Sequence, residues 1–151
     1  MMIGVISDTH GLLREEALAA LAGVEHILHA GDVGDPEILE RLRAIAPVTA
    51  IRGNIDEHGV CGHLPPTEVV ELAGATFYML HDGKRLDLDP AAAGFAAVVS
   101  GHTHQARIEW RKGVLHFNPG SAGPRRFQLP VTLGKIEIVG GKVEASILTL
   151  L

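Results

Sequence analysis

Residues 27–45 read ILHAGDVGDPEILERLRAI, and this stretch decides the fold class. Ile27 to Ala30 form a short apolar run of the kind that fills a buried strand. Gly31-Asp32 and Gly34-Asp35 interrupt it. Asp35 is placed to cap a helix, and Pro36 suits the first helical position, where its missing N–H leaves nothing unpaired. Ile38, Leu39, Leu42 and Ile45 then recur at the helical period and give one apolar face. The pattern repeats upstream: Met2 to Ser7 is a β-rich apolar run, and Leu13, Ala17, Leu18, Leu21 and Ala22 fall at helical spacing within Leu12 to Ala22. Val48 to Ile51 supplies a third strand after Pro47. Strands alternating with helices predict parallel pairing through right-handed crossovers.

The second half changes character. PPTEVVELAGATFYMLHDG, residues 65–83, reads as two strands joined at Gly74. A short helix is expected over Pro90 to Phe95, then a strand at Val98. ARIEW, VLHF, VTLGKIEIV and VEASILTL follow as β segments, with Gly140-Gly141 a strong hairpin signal. Two sheets facing each other with helices outside bury both halves in one core. No linker-like stretch interrupts residues 1–151, so a single domain is expected.

Composition narrows the classes of function. A chain of 151 residues with 46% hydrophobic and 21% charged residues lies in the globular range and away from disorder. A formal net charge of −5 with scattered Lys and Arg gives no clear nucleic-acid-binding surface and no attraction to anionic lipid. Cys61 stands alone, which excludes an intramolecular disulfide and fits a reducing compartment; it reads as a small, half-buried apolar side chain. The start MMIGVISD has no basic segment, and no apolar run approaches the roughly 20 residues of a membrane span. A cytoplasmic protein is expected.

The polar residues carry the chemistry. Residues 98–105, VVSGHTHQ, end an apolar run in two histidines. Ser7-Asp8-Thr9-His10, Gly31-Asp32, Gly53-Asn54 and Leu80-His81 end the other predicted strands in the same manner. Each residue alone is an ordinary turn former or hydrogen-bonded histidine. Five strand ends bearing Asp, Asn or His, four with glycine beside them, are hard to obtain from turn chemistry. In α/β sheets such ends converge in space, and together these residues point to a metal site.

The ordered series DTH at 8–10, GD at 31–32, GN at 53–54, His81, GHTH at 101–104 and NPGS at 118–121 resembles the calcineurin-like metallophosphoesterases, in particular their small bacterial and archaeal phosphodiesterase branch. The resemblance implies an α/β fold, a four-layer αββα sandwich, with a dinuclear metal centre at the sheet ends. Carried over residue by residue, Asp8, His10, Asp32 and His104 would hold one metal. Asp32, Asn54, His81 and His102 would hold the other, with Asp32 bridging. Nitrogen and oxygen donors without thiolate suit two divalent ions, manganese foremost, with nickel, iron, zinc or cobalt as alternatives. The implied reaction is hydrolysis of a small phosphodiester by a metal-bridging hydroxide, with Asp32 and Asn54 serving catalysis as well as the metals. A homo-oligomer is also implied. The rival reading is a non-catalytic protein scaffold on the same fold, like the retromer subunit; the filled ligand positions favour catalysis. A Rossmann-type reading falls because no GxGxxG follows the first strand.

Two departures matter. Ile55 stands where many relatives place a histidine that assists the leaving group, and His58 is the substitute acid this sequence offers. Gly83, in HDG at 81–83, replaces a second histidine. His29 is expected to pack behind the site, Asn118 to touch it from behind, and Asp56 either to orient a ligating histidine or to cap a turn. Arg125 and Arg126 read as a solvated pair, Trp110 as strand packing, and His26, His63 and His116 as structural.

Overall fold

The computed structural model describes residues 1–151. The chain runs β1 Met2–Ile6, α1 Glu15–Ala20, β2 His26–His29, α2 Pro36–Arg43, β3 Val48–Ala50, β4 Thr67–Leu72, β5 Ala75–Leu80, β6 Ala97–Val99, β7 Arg107–Arg111, β8 Val114–Asn118, β9 Thr132–Val139 and β10 Lys142–Thr149. Three short 3-10 turns, Asn54–Asp56, Val60–His63 and Gly83–Arg85, lie between strands.

The strands form two five-stranded sheets, ordered β10-β9-β1-β2-β3 and β4-β5-β6-β8-β7. The expected parallel pairing is present: β1 runs parallel to β2 with Val5 opposite Leu28, and β2 parallel to β3 with Leu28 opposite Thr49. β9 joins β1 antiparallel and makes the sheet mixed. Three two-residue hairpins, Ala73-Gly74, Lys112-Gly113 and Gly140-Gly141, have both residues at positive φ, the turn whose twist matches the strands it joins.

Apolar side chains from the facing sheets meet in one interior. Ile3, Val5 and Leu28 from the first sheet pack in one cluster with Phe77, Val99 and Phe117 from the second. Full burial of each such side chain stabilises the fold by roughly 1.5–3 kcal/mol. Gly134 of β9 is required there, because a Cβ would run into the Phe117 ring. On the outer face of the first sheet, α1 and α2 bury Ala17, Leu39 and Leu42 against Ile6 and Ile27. Asp35 caps α2 as its sequence predicts, accepting from Glu37 N at 2.9 Å.

The fold is the expected α/β sandwich, with two departures in its helices. α1 spans Glu15–Ala20 rather than Leu12 to Ala22: Arg14 gives it no side-chain cap, and Gly23 turns left-handed just beyond. The helix expected over Pro90 to Phe95 is a set of tight turns. Asp89 Oδ1 accepts from Ala91 N and Ala92 N, but Gly94, at φ 78°, ends the turn before a helix can propagate. The outer layer on the second sheet is therefore irregular: Leu86 covers Leu80, Val98 and Val114, and Phe95 stacks on Tyr78 at 5.5 Å.

Candidate metal centre

β1, β2, β5 and β6 all end at one edge of the sandwich, and the loops leaving them are laced together. Asp8 N donates to Gly31 O (3.0 Å), His10 N to Asp32 O (2.9 Å) and Gly101 N to His81 O (2.9 Å). Of the eight non-glycine residues at positive φ, five are Asp8, His10, Asp32, His102 and His104. Left-handed backbone costs such residues about 1 kcal/mol or more and is characteristic of functional sites. Of these five, Asp8, Asp32 and His104 are buried, His10 is partly buried and His102 is exposed.

Each carboxylate has one oxygen held and one free. Asp8 Oδ2 accepts from Ser7 Oγ (2.7 Å) and His102 N (3.1 Å), while Asp32 Oδ1 accepts from Ile55 N (3.0 Å). The remaining oxygens face the imidazoles. Asp32 Oδ2 stands between His10 Nε2 (3.3 Å) and His81 Nε2 (3.2 Å). Asp8 Oδ1 lies 3.7 Å from both those nitrogens and 3.4 Å from His104 Nε2.

These approaches are not hydrogen bonds. Asp8 Oδ1, His10 Nε2 and His81 Nε2 are buried without a hydrogen-bond partner, and so is Nδ1 of His104, the ring nitrogen other than the one nearest Asp8. Buried polar atoms normally find partners, so a knot of orphans calls for a missing one. Donors about 2.1 Å from a common cation lie roughly 3 Å apart, close to the spacings here. The donor set fits divalent cations in two overlapping groups, Asp8, His10 and His104, and Asp8, Asp32 and His81. In the His81 imidazole, Nδ1 meets Ala30 O at 2.7 Å, which leaves Nε2 for the centre.

The electrostatics agree. Burial alone would raise the Asp8 carboxyl, but His10, His104, His81 and the Ser7 hydroxyl together hold it well below the usual carboxylate range. Burial likewise opposes ionisation of Asp32, and His81 overrides it. Both side chains stay anionic, as cation ligands must.

The other expected ligands sit farther out. The His102 ring centroid is 5.2 Å from that of His81; its side chain is 42% exposed, with Nε2 3.9 Å from Asp82 Oδ2. Asn54 is exposed at the start of its 3-10 turn, and His58 stands exposed on the following turn, outside the buried cluster. His29 packs behind the centre as expected: fully buried, it accepts from Gly31 N through Nδ1 (3.1 Å), so Nε2 donates to Thr9 Oγ1 (3.1 Å). Asn118 braces the GHTH loop, donating from Nδ2 to Gly101 O and Thr103 Oγ1.

Asp56 does more than either expected role. It accepts from Gly53 N as a cap, and also from Val33 N and Gly34 N, so one carboxylate clamps the loops that carry Asp32 and Asn54. Nothing local in the sequence signals the contact to Val33 and Gly34. The glycines beside the ligands have a steric cause: a Cβ on Gly53 would strike Asp32, and one on Gly101 would strike Ser7 Oγ and Asp8 Oδ2. Trp110 differs from expectation, because β7 is an edge strand and the indole is half exposed.

Residues 1–141 match the calcineurin-like phosphoesterase superfamily domain. The chain belongs to that superfamily. This calcineurin-like phosphoesterase is 34% identical to a probable metallophosphoesterase of Methanothermobacter thermautotrophicus, over 98% of this chain and 92% of the relative. Its fold is shared with an archaeal phosphodiesterase (TM-score 0.79, 23% identity, 98% and 100% of the two chains). The Vps29 protein of Chaetomium thermophilum has the same fold (TM-score 0.79, 16% identity, 98% and 94%). No helix is long and apolar enough to cross a membrane.

Proposed function

We propose that this calcineurin-like phosphoesterase hydrolyses phosphodiesters with two divalent cations, manganese foremost, held by Asp8, His10, Asp32, Asn54, His81, His102 and His104. The observation that carries the reading is the convergence of Asp8 Oδ1, His10 Nε2 and His81 Nε2, buried and unpartnered, beside Asp32. Divalent cations supply Lewis acidity and acidify bound water. The chain's part is to keep two carboxylates ionised, to aim the His81 imidazole through Ala30 O, and to hold the loops rigid through Asp56. Ile55 cannot donate a proton, so esters with acidic leaving groups are the better substrates, and His58 is the one neighbouring side chain offered as an acid. With two divalent cations, the Asp8 and Asp32 carboxylates and one hydroxide, the centre would carry a single net positive charge, which a singly charged diester neutralises and a doubly charged monoester overshoots. The single, unpaired Cys61 fits a cytoplasmic setting.

The likeness to Vps29 favours a second reading, a scaffold that binds protein and has no turnover. The filled ligand positions weigh against it. The deciding experiment strips the metal, resupplies Mn, Ni, Zn or Mg in turn, and measures hydrolysis of an aryl phosphodiester and the matching monoester. Metal-dependent turnover that favours the diester and is abolished in Asp32→Ala and His102→Ala is the expected result. Near-wild-type turnover in both variants with unchanged metal content overturns the assignment. Cation binding without turnover of either ester supports the scaffold.

A further inference from the structure

A cleft of about 200 Å³ opens on the outer face of the second sheet, behind the GHTH loop. The β7–β8 register builds its floor: Arg107 lies opposite Asn118, Glu109 opposite His116 and Arg111 opposite Val114, so these side chains share one face. Lys84, from the turn after β5, and Gly101 and Thr103, from the GHTH loop, also line it. Of twelve lining residues only Phe117 is hydrophobic, and five carry a formal charge, which suits a charged ligand. The volume falls below the roughly 300 Å³ of a drug-sized pocket and suits one small charged group.

The charge inside has a definite sign. Lys84, Arg107 and Arg111 face Asp82 and Glu109, three cations against two carboxylates, which leaves one net positive charge. The whole chain carries −5. Arg111 spends Nε and Nη2 on Glu109 (2.9 Å each), and Arg107 spends Nη2 (2.9 Å). A guanidinium has five N–H donors, so both keep donors free, held side by side by one shared carboxylate. Such a fork matches the oxygens of phosphate or carboxylate.

We propose that this cleft is an oxyanion subsite, separate from the cation cluster, which takes a phosphate or carboxylate group through Lys84, Arg107 and Arg111. The two sites share a wall. Asp82 lines the cleft and its Oδ2 lies 3.9 Å from His102 Nε2, while Gly101 and Thr103 alternate with the ligating histidines. The substrate class that follows, a phosphodiester bearing a second oxyanion, rests on the phosphodiesterase reading above. The subsite itself does not.

The test therefore begins on metal-free protein, titrated with inorganic phosphate and followed by the backbone amide resonances of Thr103, Arg107 and His116. These should shift together and saturate, with affinity roughly tenfold weaker in Lys84→Ala and in Arg107→Ala and retained in Asp32→Asn. Both cleft side chains are exposed, so the variants fold. No saturable shift, or unchanged affinity in both cleft variants, overturns the subsite. On metal-loaded protein, a KM raised in Arg107→Ala only for a diester with a second charged group assigns the oxyanion to the substrate. Phosphate binding without that KM change assigns it to a free anion. Absence of all turnover defeats the phosphodiesterase reading, and the metal-free titration still decides the cleft.

Discussion

The His102 backbone N–H donates to Asp8 Oδ2 at 3.1 Å, across 94 residues of chain. The same carboxylate accepts from Ser7 and turns its other oxygen to three imidazoles. Asp8 is thus a fastening between the two sheets as well as a candidate ligand. Asp32 carries fewer such duties, with one backbone donor, Ile55 N.

The two aspartates should separate in stability. Asp8→Ala leaves the Ser7 hydroxyl and His102 N–H without their acceptor, at a cost of about 2–4 kcal/mol, whereas Asp32→Ala strands one part-buried N–H and costs about 1 kcal/mol. Urea unfolding of metal-free protein measures both. Equal losses would show that Asp8 does not tie the sheets.

Gly101→Ala is a steric probe of the centre. Gly101 does not adopt positive φ, so alanine suits its backbone, but the new Cβ would displace Ser7 Oγ and Asp8 Oδ2. Cation affinity should fall at least about tenfold, by the same logic as loss of a group that orients a ligand. Calorimetric titration with Mn checks it, and unchanged affinity contradicts the packing.

Asp56→Ala removes the acceptor for Val33, Gly34 and Gly53 together. Three stranded donors predict a loss of about 3 kcal/mol or more, with weaker cation binding as the loops separate. A variant as stable as the parent would mean that the clamp is dispensable.

His29 gives the fold a pH dependence. Burial pushes its pKa down from 6.5 to about 4, so the folded chain keeps it neutral where the unfolded chain takes up a proton. The contribution is complete above pH 6.5 and is lost as pH falls from about 6.5 to about 4, by about 3 kcal/mol in total. His26 and His116 are also lowered by burial and add to the same trend. In metal-free protein, His29→Asn should flatten unfolding free energy against pH across this window. A slope identical to wild type would place the titration elsewhere.

Much of this architecture is legible in the sequence because its signals are local. Pro36 after Asp35 marks the start of α2, and paired glycines mark the β9–β10 hairpin. Glycine beside Asp or His marks the loops that carry the candidate ligands, because at Gly53 and Gly101 the backbone passes close to a carboxylate. The short α1 and the failed Pro90 to Phe95 helix are harder, since apolar spacing says nothing of a missing cap or a left-handed Gly94. Asp56 is harder still: its partners at Val33 and Gly34 are set by tertiary folding alone. The cleft did leave a trace. RIEWR alternates charged and apolar residues with period two, which already places Arg107, Glu109 and Arg111 on one face.

The two halves of the donor set grow from different sheets: Asp8, His10 and Asp32 follow β1 and β2, while His81, His102 and His104 follow β5 and β6. A cation seated among them is a rivet driven through the seam of the sandwich. Chelation should accordingly loosen that rim first, with amide hydrogens near Ile6 and Val99 exchanging faster while those at the far hairpins keep their protection.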